Sequence, residues 1–197
     1  MAETAYKADL RRYLQEAREA VLWKLDGLSE YDCRRPLVRS GTNLLGLVKH
    51  LAAVEMGYFG ATFGRPCPDL LPWDESDPNS DMFATAEESR EFIADLYRRA
   101  WAHADATIEA LALDATGRVP WWPAGRNEAT LHHLLVRVTA DTCQHAGHAD
   151  IVRELVDGAI GHMAGRSDLP DGDEAWWSAH HDRVERAARE AATRAAG

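Results

Sequence analysis

Ala140-Asp141-Thr142-Cys143-Gln144-His145-Ala146-Gly147-His148-Ala149-Asp150 is the stretch from which the fold can be read. It lies inside a pattern in which Leu131, Leu135, Val138, Thr142, His145, Ala149, Val152 and Val156 recur in steps of four and three, the spacing of one helical face. His145 therefore stands on the face expected to pack inward. At about 100° per residue, Asp141 falls roughly 40° and His148 roughly 60° to the same side of it. A carboxylate and two imidazoles thus share one narrow face, a spacing that lets one helix offer several ligands to one cation. Two readings fit this stretch: a metal site, or buried histidines hydrogen-bonded to Asp141 with no metal.

Working outward, three more helical stripes emerge. Residues 5–28 carry Leu10, Leu14, Ala17, Val21, Leu25 and Leu28 at a period near 3.6. Residues 29–41, with Pro36 and Gly41, break the pattern, and Thr42 or Asn43 can cap a second helix running to about Gly60. Segment 64–84 holds Pro66, Pro68, Pro72 and Pro78 and reads as a long irregular connection. Thr85-Ala86-Glu87-Glu88 has the form of a capping box and is expected to open a third helix to about Leu113, with Ile93, Tyr97, Ala100, Ala104, Ile108 and Leu111 inward. A loop from Gly117 to Gly125 contains Pro120-Trp121-Trp122-Pro123, which reads either as a lid packed on the bundle end or as a wall of a substrate pocket. The fourth helix is expected from about Asn127 to Asp157, ended by Gly158, Gly161, Gly165 and Pro170. A last Ala/Arg/Glu-rich helix covers roughly 172–194 and is expected to pack on the bundle or on a second subunit. No β-type alternation of useful length is visible. The expected fold is all-α: a four-helix bundle with long loop connections and an appended C-terminal helix. One domain is expected over 1–197, the bundle at about 5–157 and a C-terminal extension at about 158–197.

The totals narrow the function. A formal charge of −10 argues against sequence-independent nucleic-acid binding, which needs a basic surface, although a pocket can still be locally basic enough for a small anion. No apolar run approaches the roughly 20 residues that span a bilayer, and Met1-Ala2-Glu3-Thr4 leads into no apolar signal core. The chain reads as soluble and cytoplasmic, with no membrane partner. Cys33, Cys67 and Cys143 form no CxxC pair, so neither a disulfide framework nor a thiolate zinc site is suggested. Cys143 points away from the His145 seam and reads as a buried structural thiol rather than a nucleophile.

If the fourth helix supplies part of a site, His50 on the second helix is the candidate for the rest. Gly46, Ala53 and Gly57 leave the helical face around it with little side chain. Glycine inside a helix costs about 1 kcal/mol relative to alanine, so either space for a pocket or close helix packing is wanted there. Glu55 reads as a solvated charge or as a partner standing behind His50. His103, His132, His133, His162, His180 and His181 read as surface or ordinary packing.

Ser40-Gly41-Thr42-Asn43-Leu44-Leu45-Gly46-Leu47-Val48-Lys49-His50-Leu51, Val119-Pro120-Trp121-Trp122 and His145-Ala146-Gly147-His148-Ala149-Asp150-Ile151 together resemble the DinB-like superfamily of four-helix-bundle proteins. They look closest to its branch of mycothiol-dependent enzymes, and Asp173-Glu174-Ala175-Trp176-Trp177 extends the resemblance over nearly the whole chain. It implies a divalent metal, zinc or nickel, held by one histidine of the second helix and residues of the last bundle helix. By position His50 matches the first ligand and His145 the last. The middle position holds Asp141 where better-studied relatives have histidine. Either Asp141 ligates directly, or His148 substitutes, or metal binding is weak or lost.

The resemblance also implies a chemistry, in which a metal lowers the pKa of a low-molecular-weight thiol that then attacks a small electrophile. The leading expectation is a metal-dependent thiol S-transferase with mycothiol as co-substrate. His50, Asp141 and His145 are the expected ligands and His148 the expected acid–base group. The alternatives are a non-catalytic stress-related or binding protein with a degenerate site, and a metal-dependent hydrolase. A homodimer is expected from the extra C-terminal helix and its tryptophans.

Overall fold

The computed structural model describes residues 2–69, 76–163, 166 and 169–195. Pro72 and Gly165 lie outside the described residues. Six helices follow in order: α1 (Ala2–Trp23), α2 (Glu30–Arg34), α3 (Leu44–Glu55), α4 (Arg90–Ala110), α5 (Leu131–Asp157) and α6 (Glu174–Ala195). A π-helical turn, Met56–Gly60, continues α3, and one 3-10 turn, Ser80–Met82, lies on it.

α1 packs along α5, and α3 packs against both α4 and α5, which makes these four helices the bundle. Their inward faces are the stripes read from the sequence. Leu14, Ala17 and Val21 of α1, Ile93, Tyr97, Ala100, Ala104 and Ile108 of α4, and Leu131, Leu135, Val138, Thr142, Ala149 and Val152 of α5 are all buried. The chain is an all-α bundle, as expected. Among the described residues no helix is long and apolar enough to cross a membrane.

The departures from the sequence reading have local causes. The first helix stops at Trp23 rather than near residue 28, because Gly27 takes a φ of 76° and Arg153 of α5 binds the carbonyls of Lys24 and Asp26 at 3.0 and 2.9 Å. The break after it contains the short α2, capped by Ser29. The capping box expected at Thr85 forms only its backward half. Glu88 accepts from the Thr85 N–H at 2.8 Å, but Arg34 takes the carbonyls of Ala84, Thr85 and Glu88, so the helix starts one turn later. Ser89 caps it instead, accepting from the Phe92 N–H at 3.1 Å.

The fourth bundle helix likewise begins at Leu131, not near Asn127. Two three-residue strands, β1 (Thr116–Arg118) and β2 (Glu128–Thr130), pair antiparallel with Gly117 opposite Ala129. They are too short for alternation to be read in the sequence. Thr130 then caps α5 by accepting from the His133 N–H at 3.2 Å, and Gly158, with φ 76°, ends it. In α6 no side chain is buried, so packing of that helix on the bundle is not observed.

Two of the small residues around His50, Gly46 and Gly57, serve close packing. At Gly46 a Cβ would run into the backbone carbonyl of Met82, and at Gly57 it would stand 2.8 Å from the Trp121 ring. Asn43 fixes the first approach from both sides, since its side chain accepts from the Gly46 N–H at 2.8 Å and donates to the Met82 carbonyl at 3.2 Å. Gly46→Ala is therefore expected to push the Ser80–Met82 turn off α3. The forced shift costs about 1–3 kcal/mol, against which alanine's better helix propensity returns about 1. A lower thermal midpoint would show it.

Candidate metal centre

His50 projects from α3 toward α5, where Asp141 and His145 meet it. One ligand atom from each of the three lies within 4.8 Å of the others. The Asp141 carboxylate stands between the imidazoles, with Oδ2 4.0 Å from His50 Nε2 and Oδ1 3.8 Å from His145 Nε2. Both separations exceed hydrogen-bond reach, so the group is not a pair of histidines hydrogen-bonded to an aspartate. They lie close to the roughly 3.3 Å that separates donors in a tetrahedral site with bonds of about 2.05 Å. The His50 and His145 rings meet edge to face, centroids 4.9 Å apart.

The sequence reading did not include Asp81. This residue of the Ser80–Met82 turn binds His50 Nδ1 at 2.7 Å through Oδ2, leaving Nε2 turned to Asp141. A carboxylate behind a ligating imidazole fixes the tautomer and the ring's aim. Burial alone would raise the Asp81 carboxyl, but the hydrogen bond and charge of His50 outweigh it and hold the group below the ordinary value. For His145, burial and the neighbouring His50 push the pKa below the ordinary imidazole value. A neutral imidazole with a free lone pair is the form that ligates. His148 lies beside the cluster rather than within the group of three. It is exposed, with Nδ1 3.4 Å from His145 Nδ1.

Glu55 is neither a solvated charge nor a partner of His50. It is fully buried and forms a two-pronged pair with Arg18 of α1, at 2.9 and 2.5 Å. Arg18 also reaches Asp105 of α4 at 3.0 Å. Burial would strip the proton from Arg18, but the Glu55 and Asp105 carboxylates hold it on. Burial pushes the Glu55 carboxyl up against the pull of Arg18. Tyr97, buried beside this pair, has its hydroxyl pKa raised well above the ordinary value by burial first and by the charge of Glu55 next, with Asp141 adding to it. A polar layer therefore crosses the core beneath the centre.

Cys143 is exposed, not buried as expected, and partial desolvation raises its thiol pKa. Nothing there activates it as a nucleophile. His103 donates from Nε2 to the Arg65 carbonyl, 2.7 Å away, and His180 stacks on Trp176, which fits the packing roles expected of both.

A sequence profile described as mycothiol-S-transferase matches residues 9–158. The chain belongs to the mycothiol-S-transferase family. The matched span runs from within α1 to the glycine that ends α5, so it contains most of the bundle and all three clustered side chains. Membership of this family bears out the DinB-like resemblance and its mycothiol-dependent branch. No curated protein matches the chain. With family and geometry together, the donor set is chemically fit for a divalent cation: two nitrogens and one oxygen, an orienting carboxylate behind one imidazole, and no Lys or Arg paired to Asp141 among the described residues.

Proposed function

We propose that the chain is a metal-dependent S-transferase that moves mycothiol onto a small electrophile. His50, Asp141 and His145 would hold zinc or nickel. The single observation that carries this reading is the arrangement of those three donors, too far apart to satisfy one another and near enough to share a cation. The metal, when bound, lowers the pKa of a thiol so that it is a thiolate at neutral pH.

The chain's own residues do the rest. Asp81 holds His50 by Nδ1, which keeps Nε2 aimed inward. His148, exposed beside His145, is the group assigned to take the thiol proton and release it to solvent. In the transfer itself a sulfur–carbon bond forms, and the bond to the leaving group breaks with its electron pair going to that group. The reading also includes one DinB-like domain over 1–197, a cytoplasmic setting, and a homodimer.

Incubation with mycothiol and 1-chloro-2,4-dinitrobenzene tests the proposal. Zinc- or nickel-loaded protein is expected to consume thiol and release chloride faster than the protein-free control, and chelation is expected to return the rate to that control. A rate unchanged by protein at any metal loading overturns the transferase reading.

A further inference from the structure

On α5, His133, Arg137, Asp141 and His145 follow one another in steps of four. On the facing strand of structure, His50, Val54 and Tyr58 do the same through α3 and its π-helical turn. The two rows meet at both ends. His50 faces Asp141 at one, and at the other Arg137 Nε donates to the Tyr58 hydroxyl at 3.1 Å. At 1.5 Å per residue, Arg137 sits about 6 Å along the helix from Asp141.

Arg137 is exposed, and its guanidinium is held against two aromatic rings. Its carbon lies 5.6 Å from the Tyr58 ring centre and 5.4 Å from that of Trp122, and the Tyr58 hydroxyl also accepts from Trp122 Nε1 at 3.3 Å. Trp121, half exposed, closes the same wall edge-on to Tyr58 at 5.0 Å. Tyr58 itself is buried, so the wall is fixed. Yet among the described residues no carboxylate pairs with Arg137, whereas Arg153, far along the same helix, is tied to Asp157 and to two carbonyls. Its face and its Nε are engaged, and the two Nη groups have no protein partner among the described residues. A planar fork of that kind matches a carboxylate. In a chain of net charge −10 it also supplies the local attraction that an anion needs.

We infer that Arg137, on the wall of Tyr58, Trp121 and Trp122, binds the carboxylate of an electrophilic substrate whose reacting carbon lies at the His50–Asp141–His145 centre. The inference rests on that centre being the reactive one, but its test needs no turnover. Calorimetric titration of zinc-loaded full-length protein with trans-cinnamate and with neutral cinnamamide compares two ligands of one shape that differ in charge. Wild type is expected to prefer the carboxylate by about tenfold or more, the worth of one charge-assisted hydrogen bond. Arg137→Gln should reduce that preference to within about twofold, and Arg137→Lys should keep part of it. His145→Ala should leave it intact, because the anion is read by Arg137 and not by the metal. No preference in wild type overturns the inference, as does a preference that survives Arg137→Gln or vanishes in His145→Ala. Circular dichroism of each variant checks that the helices are retained. Failure of the thiol-transfer assay alone leaves these ratios unaffected.

Discussion

His145→Ala is expected to abolish tight zinc or nickel binding by the full chain. Three donors converge within 4.8 Å, and removing one leaves an imidazole and a carboxylate, too few for a stable site. The loss should exceed that of Asp81→Asn, which removes only the carboxylate behind His50 and is expected to weaken affinity by roughly 10- to 100-fold. His148→Ala should bind metal nearly as wild type does, since His148 stands outside the group of three. Competition titrations with a chromophoric chelator measure all three. Equal affinity in wild type and His145→Ala contradicts the ligand set.

The pH dependence follows from the same residues. Metal and proton compete for the imidazole lone pair, so affinity falls as the solution is acidified. Because burial and His50 hold the pKa of His145 below the ordinary value, its competition should set in at lower pH than that of an ordinary imidazole. Without metal, the same shift makes the unfolded chain bind the extra proton first. Stability should therefore decline as pH falls through the window between the ordinary and the lowered pKa.

The largest effect on stability is expected at Arg18. Arg18→Met strands Glu55, a fully buried carboxylate, with its two hydrogen bonds gone. Breaking such a pair from one side costs about 3–5 kcal/mol. The double variant Arg18→Met/Glu55→Leu removes both charges and should recover much of that loss, which marks the pair as coupled. Urea denaturation of wild type, Arg18→Met, Glu55→Leu and the double variant measures it, and a cost of Arg18→Met under about 1 kcal/mol contradicts a buried, paired carboxylate. The single variant should also regain stability on acidification. Its buried Glu55 would have a raised folded-state pKa, so the folded protein takes up a proton that the unfolded chain does not.

Much of this was legible in the sequence because helical periodicity reports burial directly. The α5 stripe from Leu131 to Val152 is inward as read, apart from His145, which is only partly buried at the centre. His50, Asp141 and His145 could be singled out because unusual side chains stood on faces otherwise apolar or small. Asp81 could not. It lies 31 residues from His50 in a segment without periodicity, and only the approach of Met82 to Gly46 places it. A signal for Arg18 existed: it follows Leu14 by four and precedes Val21 by three, which puts a charge on the α1 seam. The burial of Glu55 was not legible, because its partner Arg18 stands 37 residues away on another helix. Gly46 and Gly57 announced that something comes close, but not whether it was a ligand or the chain's own backbone and Trp121.

X-ray absorption at the zinc edge of tag-free protein, loaded with one equivalent, tests the central claim most directly. The account predicts a first shell of nitrogen and oxygen at about 2.0–2.1 Å with the outer-ring scattering of two imidazoles and no sulfur, in the absence of added thiol. Sulfur in that shell, a single imidazole, or zinc lost on gel filtration would contradict a centre built from His50, Asp141 and His145.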